Sequence, residues 1–155
     1  MTAVSSSVSV DWSMFVAAHR AQAPRRYARA NHERALVFAP DPTVRLWIEH
    51  ELFAERVKIQ IVETFVDVVS TLTLVPPPWP QILIVDVDAV SRSDIPLLAT
   101  IRAAGWSGVA IAIGDPSLAM RRALGIDRVL GRSFASETLR NTIKELAAST
   151  RTRLR

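Results

Sequence analysis

Five short segments typical of β-strands recur along the chain, and a stretch with helical periodicity follows each of them. The five segments are residues 35–39, 57–62, 81–86, 108–113 and 127–131. The helices between and after them are expected at residues 42–55, 65–74, 91–104, 116–124 and 136–148. A chain that alternates strand and helix in this way forms a parallel sheet with helices on both faces. Five such units predict a doubly wound, flavodoxin-like α/β sandwich of three layers.

Two of the predicted helices are preceded by the same pair of residues. Asp41-Pro42 stands before the first helix and Asp115-Pro116 before the fourth. An aspartate at a helix start accepts a hydrogen bond from a free backbone amide, and proline suits the first turn because it has no amide to satisfy. We therefore expect Asp41 and Asp115 to be helix caps.

Composition excludes several kinds of site. The 155 residues suffice for one domain with a substantial core, and they include no cysteine, which excludes disulfides, zinc–thiolate sites and thiol nucleophiles. With only three histidines, metal chemistry is not expected either. No apolar run is long enough to span a bilayer, and no signal peptide is apparent. We expect a cytoplasmic protein without a cofactor and without a membrane partner.

The basic residues are concentrated at the two ends of the chain. Residues 1–34 form an expected flexible extension with a short amphipathic helix at 11–22, residues 35–148 form the domain, and residues 149–155 form a basic tail. Five arginines oppose two acidic residues in the extension, and three arginines lie in the tail. Basic tails can contact nucleic acid, but no helix-turn-helix, zinc finger or aromatic–basic strand accompanies them. A protein partner is expected instead.

The third of the five segments is an apolar run that ends on a carboxylate. Residues 80–90 read PQILIVDVDAV, so that Asp86 ends the strand and Asp88 follows two positions later. Parallel sheets bind ligands outside the carboxyl ends of their strands. Asp86 is therefore the principal candidate for chemistry.

Residues 35–148 resemble the receiver domain of bacterial response regulators. ALVFAPDPTVR is similar to the first strand and loop of that family, PQILIVD to its third strand, and RALGIDRVLGRSFASETL to the passage from its fifth strand into its last helix. The resemblance implies transfer of a phosphoryl group from a kinase histidine to an aspartate at the end of the third strand. It also implies an acidic pair that helps to hold Mg²⁺, a hydroxyl on the fourth strand and a lysine on the fifth.

The chain departs from the family pattern at most of these positions. The nucleophile falls on Asp86, the acidic pair on Ala39 and Pro40, the hydroxyl on Ile113 or Gly114, the lysine on Arg132 and the aromatic switch residue on Val129. A site with one carboxylate binds Mg²⁺ poorly, and losing the metal removes transition-state stabilisation. The resemblance thus implies a degenerate, or pseudo-, receiver that is not an enzyme and acts by protein–protein interaction.

Three interpretations of Asp86 remain open. Arg132 is long and permanently charged, so a lasting ion pair between it and Asp86 could hold the domain in one conformation. Alternatively, the chain is a weakly active receiver that accepts phosphate on Asp86 in a two-component phosphorelay. In the third interpretation Asp86 is only the polar end of a strand.

Two other interpretations, a phosphatase and a cofactor-binding module, have less support. DVDAV resembles the first motif of the haloacid dehalogenase phosphatases and AIGDPSLAMRRALGI their late acidic motif, in which one aspartate attacks phosphate and another is the acid/base. Val90 stands where that family has threonine, and no lysine lies between Asp86 and Asp115. A flavin or nucleotide module would need a glycine-rich loop, and residues 39–43 contain no glycine.

Two surfaces are candidates for partner binding. The first is formed by the fourth helix, fifth strand and fifth helix, which the resembled family uses for signalling and dimer contacts. It carries four arginines that suit an acidic partner or a symmetric dimer: Arg121, Arg122, Arg128 and Arg140. A solvated charged face is the plain alternative.

The second surface is a seam on the first helix. Leu46 and Phe53, with His50 between them, lie away from the core face that contains Val44, Trp47, Ile48 and Leu52. Trp12, Phe15 and Val16 in the extension also need burial. We expect the helix at 11–22 to dock on this seam, or on its copy in a homodimer; alternatively, Leu46 and Phe53 are simply exposed singly.

Overall fold

The computed structural model describes residues 34–153, with the side chains of a few residues after 146 left out of the description. The expected extension before Arg34, including the helix predicted at 11–22, lies outside the described residues, as does the end of the tail. Among the helices that are described, none is both long enough and apolar enough to cross a membrane.

The described chain forms five parallel strands and five α-helices. The strands are β1 (Arg34–Phe38), β2 (Lys58–Val62), β3 (Ile82–Asp86), β4 (Val109–Ile113) and β5 (Arg128–Leu130). The helices are α1 (Pro42–Ala54), α2 (Phe65–Thr73), α3 (Ile95–Ala103), α4 (Leu118–Leu124) and α5 (Thr138–Arg153). The strand order is β2-β1-β3-β4-β5 with every pairing parallel. This order confirms the predicted doubly wound sheet.

The sheet is covered on both faces, which explains why its central strands are apolar throughout. Successive side chains of a strand point to opposite faces. Leu83 and Val85 of β3 accordingly join one core cluster with residues of α2, α3 and α4, whereas Ile82 and Ile84 join the other with residues of α1 and α5. β3, in the middle of the sheet, is buried at all five positions.

Of the two predicted helix caps, one is confirmed and the other is wrong. Asp41 caps α1 as expected, because its Oδ1 accepts a hydrogen bond from the backbone N–H of Thr43 at 2.9 Å. The prediction for Asp115 is wrong: α4 begins at Leu118, and the hydroxyl of Ser117 accepts the N–H of Met120 at 3.2 Å. Ser117, directly after Pro116, is the cap residue instead, because a serine hydroxyl is as suitable a cap as an aspartate.

Two other helices start later than predicted. Short 3₁₀ turns at Val87–Ala89 and Arg92–Asp94 fill most of the interval after β3, so that α3 begins at Ile95 and not at residue 91. α5 begins at Thr138 because Glu137 before it has a positive φ of 69°, and it continues to Arg153, past the expected domain end at 148.

An arginine fixes the amino edge of the sheet, opposite the end of β3. Arg102 of α3 donates from Nε to the carbonyl of Leu124 at 2.7 Å, from Nη1 to that of Gly108 at 2.7 Å and from Nη2 to that of Gly125 at 3.1 Å. Burial lowers the pKa of Arg102, while the charge of Asp127 acts in the opposite direction. The bonds to Leu124 and Gly125 satisfy carbonyls at the end of α4, which a helix end leaves without partners.

Candidate functional site

The candidate site lies at the carboxyl edge of the sheet, where three loops meet. Asp86 ends β3 and pairs in register with Ile113 at the end of β4. The β1–α1 loop supplies Asp41, and the loop from β5 to α5 supplies Arg132. Because β3 is the central strand, Asp86 is almost completely buried, with 2% of its surface exposed.

Arg132 joins three carboxylates at this edge. Its Nη1 donates to Asp86 Oδ1 at 2.7 Å and to Asp88 Oδ2 at 2.9 Å, and its Nη2 lies 3.6 Å from Asp41 Oδ2. The hypothesised ion pair between Arg132 and Asp86 is therefore present. Charge-assisted bonds of this length are among the stronger hydrogen bonds in proteins.

Two expectations about the neighbouring acids need correction. Asp86 is not a lone carboxylate, since Asp88 and Asp41 share its cation. Asp41 also does more than cap α1: its Oδ1 accepts the amide of Thr43 while its Oδ2 faces Arg132. The reason is topological, because the cap of a helix that follows a parallel strand lies at the carboxyl edge of the sheet.

A tight turn and a glycine place the side chain of Asp88. Asp86 Oδ1 accepts the backbone N–H of Asp88 at 3.2 Å, which begins the 3₁₀ turn after β3. A Cβ added to Gly114 would lie 3.1 Å from both carboxylate oxygens of Asp88, and the φ of +112° there disfavours any side chain. Gly114 thus leaves the room that Asp88 needs to reach Arg132. From the sequence, this glycine was expected only as a possible hydroxyl position.

The environment stabilises the charged form of Arg132. Partial burial lowers the pKa of its guanidinium, but the hydrogen bonds and charges of Asp86 and Asp88 outweigh this effect, so that the pKa of Arg132 is raised above its ordinary value. The guanidinium carbon lies 5.9 Å from the ring centre of Phe134, within cation–π range. Phe134 in turn packs against Trp47 of α1, with ring centres 5.4 Å apart.

The residues present do not fit the magnesium site that the receiver fold implies. Ala39 and Pro40, at the acidic-pair positions, have no side-chain oxygen, and Ala39 is buried. The carboxylates at the edge surround a guanidinium, which carries positive charge like the metal. Within residues 34–153, no group of three or more His, Cys, Asp or Glu side chains is arranged to hold a metal ion.

The hydroxyl and switch positions also lack the groups that the family would use. Ile113 is fully buried and belongs to the core cluster under α1 and α5, and Gly114 has no side chain. Val129 is partly buried against the other core cluster. No side-chain oxygen at these three positions can therefore follow a phosphoryl group on Asp86.

The first partner surface is smaller than the sequence indicated. Arg121 and Arg122 of α4 and Arg128 of β5 are exposed, and Leu118 of α4 is 61% exposed. Arg140 does not belong to this surface, which corrects the prediction. We call Leu118, Arg121, Arg122 and Arg128 the α4–β5 face.

Arg140 is instead directed toward α1. Its Nη2 lies 3.5 Å from Oε2 of Glu51, a carboxylate with no exposed surface, and its Nη1 lies 3.7 Å from Glu137. A buried carboxylate needs a counter-charge, and α5 supplies it. The sequence offered one signal for this contact: Glu51 falls three residues after Ile48 and one before Leu52, on the core face of α1.

The seam on α1 is located as predicted. Leu46 is 65% exposed and Phe53 84% exposed, and His50 between them is exposed too. Val44, Ile48 and Leu52 are completely buried on the opposite side of the helix. Trp47, assigned to the core face, is only half-buried, because it lies at the border and contacts Phe134.

Comparison with known proteins is informative at the level of the fold. No family description and no curated protein sequence matches the chain. The signal receiver domain of an HD domain-containing protein from Pseudomonas fluorescens superposes with a TM-score of 0.64 at 16% identity, covering 79% of this chain and 99% of that one. A response regulator from Thermotoga maritima gives 0.62 at 12% identity, covering 76% and 98%.

A third similar structure, from Burkholderia pseudomallei, is described as related to pilus assembly. It superposes with a TM-score of 0.60 at 17% identity, covering 75% of this chain and 90% of that one. All three identities are low. Five parallel strands with flanking helices give this chain the flavodoxin-like fold of CheY-like receiver domains.

Proposed function

We propose that the chain is a receiver-like signalling module that acts through protein contacts and whose phosphotransfer site is degenerate. The observation that carries this proposal is the position of Arg132, whose Nη1 bonds both Asp86 and Asp88. The guanidinium thus engages one oxygen, Oδ1, of the carboxylate that would attack a phosphoryl group. We infer that the domain is not an enzyme.

The chemistry of phosphoryl transfer supports this proposal. Asp86 would have to present a free oxygen lone pair in line with the leaving group, and a divalent ion would have to offset charge on the phosphoryl oxygens. Asp86 Oδ1 already accepts hydrogen bonds from Arg132 and from the amide of Asp88. Attack through the second oxygen, Oδ2, would still lack the divalent ion, because Ala39 and Pro40 at the acidic-pair positions have no side-chain oxygen to hold it.

The same contacts favour one conformation over a switch between two. Arg132 ties the loop after β5 to the end of β3 and, through Asp41, to the start of α1. A ligand or modification moves an equilibrium only if two arrangements have similar free energies. We infer that the arginine cluster, defined as Asp41, Asp86, Asp88 and Arg132, stabilises one arrangement and so presents a constant surface to partners.

The partner that we propose is an acidic cytoplasmic protein that binds the α4–β5 face. The arginines of the α4–β5 face and the exposed Leu118 beside them combine positive charge with an apolar contact, as partner surfaces commonly do. The similar structures come from proteins described as response regulators, signal receiver domains and a pilus assembly-related protein.

One observation favours the weakly active receiver as a second candidate. Asp41, Asp86 and Asp88 all face the same point at the sheet edge. If Arg132 swung out, its guanidinium would no longer offset these negative charges, and Oδ1 of Asp86 would lose one of its two hydrogen-bond donors. Asp86 would then accept phosphate inefficiently.

Titration with beryllofluoride and Mg²⁺, followed by amide NMR, separates the two candidates. We expect the amides of Asp86, Asp88 and Gly114 to remain unshifted, and acetyl phosphate to leave the intact mass unchanged. The Arg132→Ala variant is titrated in the same way for comparison, because it lacks the guanidinium that bonds the carboxylates of Asp86 and Asp88. A saturable shift in the wild type, together with an added phosphoryl mass that Asp86→Asn abolishes, would establish the receiver activity instead.

Affinity capture with charge-reversed variants tests the partner surface. Arg121→Glu/Arg122→Glu should lose the bound partner while retaining the wild-type melting temperature, because both side chains are exposed. Lys58→Glu/Arg92→Glu is the matched control, since it makes the same charge change at two exposed positions on other elements. Equal capture by both variants would exclude the α4–β5 face.

A further inference from the structure

The seam on α1 has an exposure and a position that suit a segment of the same chain. We define the α1 seam as Leu46, His50 and Phe53. We propose that the apolar stripe of the preceding segment, Trp12, Phe15 and Val16, docks on the α1 seam within one molecule. This inference is independent of the arginine cluster and of the proposed partner face.

The α1 seam differs from other exposed apolar positions of the described chain. Leu46 and Phe53 are 65% and 84% exposed and stand seven residues apart, so that two helical turns bring them onto one stripe. The remaining large exposed apolar side chains lie one to an element or loop: Ile61, Val66, Val75 and Leu118. α1 therefore has a second apolar face, on the side opposite its core face.

The chain enters the described structure beside this seam. Arg34, the first residue of β1, pairs in register with Lys58 at the start of β2. Only residues 55–57 separate Lys58 from Ala54, where α1 ends, so that the carboxyl end of α1 lies at the same edge of the sheet as Arg34. Phe53, the more exposed member of the seam, is next to this end.

The length of the preceding segment permits the contact. Residues 17–33 separate Val16 from Arg34 and span up to about 55 Å when extended. The 13 residues of α1 are about 20 Å long. A stripe attached by such a tether reaches every point of the seam, and the tether gives it an effective concentration of the order of millimolar.

Side-chain chemistry matches on the two sides. Trp12, Phe15 and Val16 have the spacing of one face of a helix, which is how an amphipathic segment presents anchors to an apolar stripe. The segment carries a surplus of arginines, including Arg20 close to the stripe, and Glu49 adjoins His50 on α1. Opposite charges at the rim would fix the orientation of the docked segment.

A second copy of the chain is the competing occupant. An antiparallel pair of α1 helices related by a two-fold axis would place Leu46 on Phe53 of the other molecule, with His50 near the axis. A dimer has to form from two separate molecules, whereas the tethered segment is always close by. The observations therefore favour the same chain.

Disulfide trapping tests the proposal, because the native chain has no cysteine. His19 continues the stripe of Trp12, Phe15 and Val16, and His50 is the centre of the seam. Mild oxidation of the full-length His19→Cys/His50→Cys variant should give an intramolecular disulfide, seen as a faster-migrating monomer on a non-reducing gel and confirmed by peptide mass. Adding Leu46→Asp/Phe53→Asp, or separately Trp12→Ser/Phe15→Ser, should reduce the yield to the control level.

The control variant is His19→Cys/Ala119→Cys, because Ala119 is exposed on α4, which packs on the other face of the sheet. Circular dichroism verifies that each variant is folded. A yield no greater than that of the control would overturn the proposal. Disulfide-linked dimers of the single His50→Cys variant, with sedimentation as a dimer, would overturn it in favour of a second copy.

Discussion

At the scale of single residues, Arg132 sets the character of the site. An arginine carries the same positive charge as a lysine, but its planar fork of donors can bond two carboxylates simultaneously. Here one nitrogen, Nη1, bonds Asp86 and Asp88, and the other faces Asp41. Arg132 is therefore a cation that is bound by the protein's own acids.

Removing Arg132 should expose the energetic coupling to Asp86. Arg132→Ala leaves Asp86 buried without its counter-ion, and we expect the free energy of unfolding to fall by about 1–3 kcal/mol, with the partial exposure of Arg132 keeping the loss moderate. Asp86→Asn/Arg132→Ala should be destabilised by less than the sum of the single variants. Urea unfolding measures all three, and strict additivity would contradict the coupling.

The backbone at Gly114 gives a second residue-level prediction. Gly114→Ala combines a φ of +112° with a Cβ 3.1 Å from both carboxylate oxygens of Asp88, so we expect a loss of about 1–3 kcal/mol in unfolding free energy. Gly131→Ala is the matched control, since no described atom lies within 4 Å of the added Cβ. Its stability should be within about 1 kcal/mol of wild type. Similar losses in both variants would contradict this account of Gly114.

At the scale of elements, α1 and α5 are joined by charge as well as by apolar packing. Glu51 lies in α1 and Glu55 is the residue that caps its carboxyl end. Their carboxylate oxygens lie 3.2–3.9 Å from the side-chain nitrogens of Arg140 and Lys144 in α5. Within the described residues, Oε1 of Glu51 has no hydrogen-bond partner. This carboxylate is thus buried and incompletely satisfied, which makes the ion pair a weak source of stability.

Replacing Glu51 and replacing Arg140 should have different effects on the free energy of unfolding. Glu51→Leu removes a buried charge and should change the unfolding free energy by no more than about 1 kcal/mol, or raise it. Arg140→Ala leaves Glu51 buried without a counter-charge and should lower it by about 2–4 kcal/mol. Thermal and urea unfolding provide the comparison. A larger loss in Glu51→Leu than in Arg140→Ala would contradict the argument.

The elements themselves were largely predictable, and the contacts between them were not. The three inner strands, β1, β3 and β4, were visible as apolar segments, because burial on both faces of a sheet leaves little place for polar residues. The edge strands β2 and β5 are partly exposed and contain polar residues, and their place in the strand–helix alternation indicated them. The start of α4 was missed because Ser117 and Asp115 are both good caps, and local sequence does not rank them. Arg140 was assigned to the surface because its partner, Glu51, lies 89 residues away.

At the scale of the whole molecule, aromatic contacts connect the arginine cluster to one layer of helices. Phe134, whose φ is +52°, packs against Trp47 of α1 and lies near Arg132. Trp79 and Trp106 are buried in the cluster on the other face of the sheet. The candidate site was predictable to the extent of Asp86 and Arg132. The convergence of Asp41 and Asp88 depended on how three loops meet, which local sequence does not determine.

The described tryptophans report on this connection. Arg132→Ala should shift the indole N–H resonance of Trp47, because Phe134 contacts both residues, and should leave those of Trp79 and Trp106 in place. Phe134→Ala/Arg132→Ala should differ little at Trp47 from Phe134→Ala alone. Equal shifts at all three indoles would indicate a general loosening of the fold and not a directed connection.

The composition of the arginine cluster also affects which molecules can approach the sheet edge. Three carboxylates and one guanidinium sum to two negative charges at neutral pH. Small phosphate-bearing anions that diffuse toward this edge therefore meet electrostatic repulsion, which raised ionic strength would weaken. A cationic loop of a neighbouring protein would be drawn to the same place.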